Sequence, residues 1–373
     1  MSGTAVRARP GPTLSRAVLN RTTLSRQWLL DRRAEPADAA IGHLVGMQAQ
    51  EPLEPYVGLW SRLAGFAPAE LVGLLERREA VRTVMMRRTL HLLTAADALR
   101  LRPVHQRMLV QRVLGARNRQ LAGAGADELA AAAAPHFAER PRTASEVARL
   151  VADRWPDVPI DALADVVGTA VPLVQVPPRG VWGQRAAARN LTLSGWLGDH
   201  DPEPADAVLE ELVLRYLGAF GPATSSDLQA WSGLSGLPAV IKRLRPRLRG
   251  YVDESGRELL DLADAPLADP DAPAPPRFLP AFDNVVLGYA DRSRLIDDDR
   301  RSLSVAGARF VLIDGRVEAR WTSTGDPDTG VTVRIELFRP LSRPERASLT
   351  AEAEALATFL GDGTPGQVQT CQN

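Results

Sequence analysis

The chain has 373 residues, and its 45 Lys and Arg side chains balance 45 Asp and Glu side chains. This length accommodates two or three domains, and 45% hydrophobic with 24% charged residues is typical of a folded globular protein, which excludes a disordered or fibrous chain. The single cysteine, Cys371, excludes a disulfide framework and a cysteine-based zinc site, and it fits a reducing, intracellular compartment.

Residues 15–94 are predicted to form a first winged-helix unit. Apolar residues recur at helical spacing in four segments, three of which open with a proline near the start of the helix. The run Val81–Leu93 is then predicted to be a strand because it is rich in β-branched and apolar residues. Helices followed by a strand predict a helix-turn-helix with a β wing.

Residues 95–200 are predicted to repeat this pattern as a second winged-helix unit. Asp127 is a predicted N-cap, and Pro135 marks the expected end of its helix. The run Val171–Gln184 is rich in Pro and Gly and is predicted to form a hairpin with Arg179 near its tip.

Residues 205–262 are predicted to form a third unit, which ends in a hairpin over Tyr251–Leu262. The segment Ala263–Pro276 is rich in Pro, Ala and Asp and is a predicted linker. After it, residues 277–361 are predicted to form a β-rich domain with a terminal helix, and Asp314-Gly315 is a strong hairpin signal. The expected fold class is α+β, with three tandem winged-helix units followed by a C-terminal β-rich domain.

The balanced total charge hides a basic stretch. Lys242 is the only lysine, so the other 44 cationic side chains are arginines, whose guanidinium groups suit a bidentate grip on phosphate. Residues 81–120 hold nine arginines and one acidic residue, Asp97. A local basic stretch in a neutral protein indicates an anionic partner, with nucleic acid as the leading candidate and solvated helix faces as the alternative. No apolar run has the length of a membrane span, and no signal peptide is predicted.

Most familiar catalytic motifs are missing from the sequence. It contains no Walker loop, no dinucleotide-binding glycine motif and no Gly-x-Ser-x-Gly elbow, and its five histidines lack metal-ligand spacing. We therefore expect no cofactor and no metal. The stretch Met47-Gln48-Ala49-Gln50 lies near a predicted helix end, where Pro52 biases Glu51 away from helical geometry. Such a distorted end would let both amides converge on a small object such as a water molecule.

Five short motifs, in this order, resemble the winged-helix DNA glycosylase family that includes AlkZ and YcaQ. The resemblance extends from about Ser15 to Leu360, and each motif alone has low specificity. The motifs are Met47–Gln50, Arg87–His91, Val176–Gly183, Gly221–Thr224 with Trp231–Leu234, and Leu279–Asp283 with Leu287-Gly288.

The resemblance implies excision of N7-alkylated guanine from DNA, including the unhooking of azinomycin-type interstrand crosslinks, in DNA repair and self-resistance. It implies three tandem winged helices and a β-rich domain curved around a basic DNA channel. Gln48 and Gln50 match the family's catalytic pair, and the Gln-x-Gln form is similar to the AlkZ branch, since the YcaQ branch carries Asp at the second position.

The remaining expectations concern partners. Position in a predicted wing and charge mark candidate DNA contacts, which are Arg87, Arg88, His91, Arg179, Arg245 and Arg247. The expected partner is double-stranded DNA that carries alkylated or crosslinked guanine, and the protein is expected to act as a monomer in the bacterial cytoplasm, associated with the nucleoid. The alternative is a winged-helix transcriptional regulator that binds DNA without catalysis; Gln48 and Gln50 favour the enzyme.

Overall fold

The computed structural model describes residues 11–326 and 330–372, and within them the protein has a mixed α+β architecture with three sheets. Residues 11–94 contribute four α-helices and four strands. These elements are β1 (Thr13–Leu14), α1 (Arg16–Arg26), α2 (Ala37–His43), β2 (Met47–Gln48), α3 (Glu54–Trp60), α4 (Pro68–Glu76), β3 (Ala80–Val84) and β4 (Leu90–Thr94). The predicted single strand over Val81–Leu93 is therefore a hairpin of two strands, β3 and β4.

The second stretch is mainly helical. Its elements are α5 (Ala95–Arg117), α6 (Ala126–Glu139), α7 (Ala144–Val151), α8 (Ile160–Ala170), β5 (Leu173–Gln175), β6 (Asn190–Thr192) and α9 (Leu193–Leu197). The prediction for α6 was wrong at both ends, because Gly125 is the N-cap and Pro135 lies inside the helix. Pro135 follows two helical turns, and α6 continues to Glu139.

Strands of the first two stretches belong to one five-stranded sheet. The strand order is β2-β4-β3-β5-β6, and Arg82 of β3 pairs with Gln175 of β5. β2 lies at the edge of this sheet, where it pairs in antiparallel fashion with β4.

The third stretch packs three helices beside a hairpin. Its elements are α10 (Ala205–Phe220), α11 (Ser225–Ser232), α12 (Leu237–Leu244), β7 (Leu248–Asp253) and β8 (Glu258–Leu262). The predicted hairpin of this segment is confirmed, although its first strand begins three residues earlier, and β1 adds to it in parallel beside β7.

The C-terminal part is built on a second five-stranded sheet in the order β13-β12-β11-β10-β9. Its elements are β9 (Arg277–Phe278), α13 (Asn284–Leu287), α14 (Arg301–Val305), β10 (Arg309–Ile313), β11 (Arg316–Asp326), β12 (Gly330–Leu337), α15 (Arg343–Leu360) and β13 (Gln367–Gln372). The predicted turn at Asp314-Gly315 is confirmed, since both residues have positive φ and join β10 to β11. The terminal helix is also confirmed as α15.

One hydrophobic core joins these stretches. It includes Leu24, Val174, Tyr216 and Leu279, and thus draws on each predicted segment. The loop between β9 and α13 also contacts the first helices directly. There Asp283 accepts two hydrogen bonds from the buried Arg62 guanidinium, at 2.7 and 2.9 Å. Within residues 11–326 and 330–372, no helix is long and apolar enough to cross a membrane.

Candidate active site

Gln48 lies in the edge strand β2 and Gln50 two residues beyond its end, and neither is at a helix end as the sequence predicted. The chain leaves α2 through a turn in which Val45 and Gly46 have positive φ. A Cβ on Gly46 would lie 2.7 Å from Cδ2 of Leu93, so glycine is required for this close approach. The reversed chain then pairs with β4, which places Gln48 opposite His91. Gln50 contacts the neighbouring residue Leu90 through its side chain, so both glutamines flank the start of β4 without any helix distortion.

The Gln48 amide is nearly buried, with 8% exposure, and is held at its oxygen. Its Oε1 accepts a hydrogen bond of 2.9 Å from Nη2 of Arg87. Because a guanidinium carries only donors, the amide oxygen must face Arg87 and the amide nitrogen must face away. Among the described residues, Nε2 of Gln48 has no acceptor within hydrogen-bonding distance.

Gln50 is exposed, and its oxygen is also anchored. Its Oε1 accepts from the backbone N–H of Leu90 at 3.3 Å. Between the two glutamines, Ala49 is buried, and its carbonyl accepts from Nη2 of Arg82 at 2.8 Å. Each amide oxygen therefore accepts one hydrogen bond from within the protein, and its second lone pair remains available to a further donor.

Arg87 connects the strand to the third helical stretch. It lies in the turn between β3 and β4 with a φ of 56°, and its guanidinium also donates to the carbonyl of Trp231. Gly233 follows α11 with a φ of 77°, and a Cβ there would lie 3.1 Å from the backbone nitrogen of Arg87. The Trp231–Leu234 motif thus supplies both an acceptor and the space for Arg87.

The surroundings of the two amides are strongly cationic. Burial, together with the nearby charges of Arg292 and Arg112, lowers the pKa of Arg87 to about 10. Burial and the charge of Arg179 likewise lower the pKa of Arg82 to about 10. Within the described part of the chain, none of these five arginines forms an ion pair with a carboxylate. These five guanidinium groups together give the site a positive potential.

The other predicted DNA contacts are differently placed. Arg88 forms an ion pair with Asp165 of α8, and Arg245 forms one with Glu258 of β8. Arg179 donates to the carbonyl of Ala186 at 2.9 Å. Arg247 is exposed, and its side chain makes no hydrogen bond or ion pair within the described residues.

His91 is fully buried, which differs from the predicted surface position. Its Nδ1 donates to the carbonyl of Thr89 at 2.9 Å, and burial, with the charge of Arg87, lowers its pKa to about 3. The ring is therefore neutral and lies inside the protein, as do the next two residues of β4, Leu92 and Leu93.

Buried His91 and His105 predict a loss of stability in acid. Burial lowers their pKa values to about 3 and about 4. Between the unfolded value near 6.5 and these folded values, the unfolded state binds more protons. The free energy of unfolding should therefore fall by about 2 kcal/mol per histidine from pH 6.5 to pH 5. Urea unfolding at both pH values measures this, and His105→Gln should flatten the dependence; an unchanged slope would contradict it.

Sequence reasoning missed several residues around the motif. It did not find the Arg82 and Arg87 contacts, since charge alone does not show where a guanidinium points. It also missed Glu54, which is buried on α3 and paired with Arg309. Glu54 borders an open cleft of about 610 Å³ between α3 and the C-terminal sheet. No group of acidic, His or Cys side chains suited to a metal ion occurs within the described residues.

Comparisons with known proteins identify the family of this chain. The sequence model of the family described as DNA glycosylase AlkZ-like matches residues 41–359. The fold is similar to the solved structure of Streptomyces sahachiroi DNA glycosylase AlkZ, with a TM-score of 0.79 at 20% identity over 96% of this chain and 100% of that chain. No curated protein sequence matches the chain. Since the family match spans most of its length, the chain belongs to the AlkZ-like DNA glycosylase family and is a DNA glycosylase.

Proposed function

We propose that this enzyme hydrolyses the N-glycosidic bond of N7-alkylguanine in duplex DNA, including guanines joined in interstrand crosslinks. Alkylation at N7 makes the base cationic, so it leaves as neutral N7-alkylguanine without acid catalysis. Water adds to C1′ and releases a proton, which balances the positive charge that the base loses when it leaves. The products are an abasic site, the free base and a proton. The observation that carries this proposal is the pair of anchored neutral amides, Gln48 and Gln50, inside a cationic site.

The two amides are suited to hold the attacking water. The remaining lone pair on each Oε1 can accept one hydrogen from a single water molecule, which turns the water's own lone pair toward C1′. Amides are poor proton acceptors, so their contribution is orientation and dipole stabilisation of an oxocarbenium-like transition state. Weak catalysis of this kind spares undamaged guanine, which is a poor leaving group.

We also propose that the DNA duplex runs along the cationic face near Arg87. The units 15–94, 95–200 and 205–262 would act as winged helices and, with the domain 277–361, curve around a basic channel. Support comes from the uncompensated guanidinium groups around the motif. Arg88, Arg179, Arg245 and Arg247 are the proposed phosphate contacts, and His91 would support β4 from inside. The enzyme would work as a monomer in the bacterial cytoplasm.

The proposed phosphate contacts predict a salt-dependent affinity. Reversing Arg247 to Glu should change the slope of log K against log salt by about one, because each phosphate contact releases a counterion. Reversing Arg88, Arg179 and Arg245 as well should change it by about three more. Fluorescence anisotropy over a salt series measures the slope. Arg346→Glu, on α15, is the matched control and should leave it unchanged. An unchanged slope in the fourfold variant would move the binding face elsewhere.

A monofunctional enzyme should leave the abasic strand intact. Strand cleavage by a glycosylase needs an amine that forms a Schiff base, and the chain offers Lys242 and the terminal amine of Met1, which lies outside the described residues. Lys242 is exposed on α12, in a run of basic residues. Borohydride added during turnover should trap no covalent protein–DNA species. An adduct that disappears in Lys242→Arg would contradict a purely hydrolytic mechanism.

A panel of defined lesions tests the proposed substrate class. Matched duplexes would carry N7-methylguanine, an N7-linked guanine crosslink, uracil or 8-oxoguanine. Only the first two bases are cationic, so only they should be released, because the Gln48 and Gln50 amides cannot donate the proton that a neutral leaving base requires. Release of uracil at a similar rate would show that the enzyme activates leaving groups and would overturn the proposed role of the amides.

A further inference from the structure

A small cavity lies behind Gln48, on the side formed by the C-terminal part of the chain. It measures about 10 Å³, which is close to the room that one water molecule needs. Its lining joins β2 to the start of α13, through Gln48, Arg62 and Asn284 among others. The cavity therefore connects the catalytic motif with the Leu279–Asp283 motif, for which the proposed reaction gives no other role.

Two buried polar atoms on residues of this lining lack a partner within the described residues. Asn284 is 4% exposed; its Nδ2 donates to the carbonyl of Gly46 at 2.7 Å, while its Oδ1 accepts nothing. Arg62 is 1% exposed, and its Nε donates to nothing although its other nitrogens are engaged. A buried acceptor or donor without a partner is destabilising, and buried waters typically satisfy such groups with about three hydrogen bonds.

The Gln48 amide supplies the third partner. Because Arg87 holds its oxygen, its nitrogen is turned away from Arg87 and has no acceptor among the described residues. A water in the cavity can accept from Nε2 of Gln48 and from Nε of Arg62, and it can donate to Oδ1 of Asn284. This arrangement satisfies all three atoms with one molecule.

We propose that Asn284 is a positioning residue, which holds Gln48 in its catalytic orientation through a buried water. The inference rests on the proposed function, since it assigns Asn284 to the same reaction. Arg87 would fix the amide at its oxygen and the water would fix it at its nitrogen, which leaves one oxygen lone pair directed at the attacking water. A displacement of such a group by about 1 Å can cost up to 100-fold in rate.

Asn284→Leu tests the inference, because it removes the acceptor and fills the cavity. The single-turnover rate of N7-methylguanine release at saturating DNA should fall about 10-fold, while DNA affinity stays within about threefold. Asn284→Ser is the milder second variant and should give a smaller loss in the same direction. Asn20→Leu is the matched control. Asn20 is also 4% exposed, and its Nδ2 donates to the carbonyls of Arg294 and Gly315 at 2.8 Å. Asn20→Leu should lower Tm as much as Asn284→Leu does, while the excision rate of the folded protein stays within twofold of the wild-type rate.

A double-mutant cycle with Gln48→Ala separates positioning from a general structural role. If Asn284 acts through Gln48, Asn284→Leu should cause no further loss in the Gln48→Ala background. A full additional loss, or a rate loss in Asn20→Leu equal to that in Asn284→Leu, would overturn the inference alone. If Gln48→Ala itself keeps the wild-type rate, the proposed function fails first, so the two failures are distinguishable.

Discussion

Gln48→Ala and Gln50→Ala are each expected to lower the single-turnover excision rate of N7-methylguanine about 100-fold, while DNA affinity stays within a few-fold. The amides are neutral and contribute little to phosphate binding, so their removal should cost orientation of the attacking water and not affinity. Base release is measured by chromatography and affinity by anisotropy, on the same duplex.

The control for the glutamine variants is Gln367→Ala. Gln367 is exposed on β13, outside the site, so its loss should change neither quantity. Equal losses of binding and excision in the Gln48 and Gln50 variants would mark the two residues as structural. Wild-type rates in both variants would remove the amides from the mechanism.

Arg87→Met is expected to lower the excision rate about 10-fold or more and to leave the salt dependence of DNA binding unchanged. The sequence predicted a phosphate contact for Arg87, but the guanidinium donates to Gln48 and to the Trp231 carbonyl. Its removal frees the Gln48 amide to rotate and leaves two acceptors without their donor. Arg87→Lys should restore little, because an ammonium lacks the planar fork that bridges both acceptors.

Arg247→Met is the same substitution as Arg87→Met, and its expected result is the opposite one. The Arg247 side chain is exposed and has no hydrogen-bond or ion-pair partner within the described residues. Its loss should therefore change the slope of log K against log salt and leave the excision rate at saturating DNA unchanged. If Arg87→Met instead lowers the slope by about one and leaves the rate unchanged, Arg87 is a phosphate contact as the sequence predicted.

Local signals in the sequence predicted the elements whose causes are local. The turn at Asp314-Gly315, the hairpin over Tyr251–Leu262 and the terminal helix depend on a few adjacent residues, and each is confirmed. The strand β2 was missed because two residues carry no periodicity. It exists through pairing with β4, more than 40 residues later, and adjacent residues do not reveal such a partner.

The site depends still more on distant contacts. Arg87 and the carbonyl of Trp231 are 144 residues apart in sequence, and Asn284 and the carbonyl of Gly46 are 238 apart. A run of arginines indicates an anionic partner on average, but it does not distinguish a free guanidinium from one that orients a catalytic side chain. The sequence marked Gln48 and Gln50 through family resemblance, and only the fold shows what holds them.

The central claim is that this chain releases a cationic N7-alkylguanine by hydrolysis, and one measurement tests it most directly. Wild-type enzyme in excess is incubated with a duplex that carries a single N7-methylguanine, in water enriched in oxygen-18. We predict that N7-methylguanine is released well above the spontaneous rate and that the strand stays uncut. The abasic site should carry oxygen-18. It must be trapped by borohydride immediately on formation, before the aldehyde exchanges its oxygen with solvent. Bound DNA from which no base is released above the uncatalysed rate would contradict the claim.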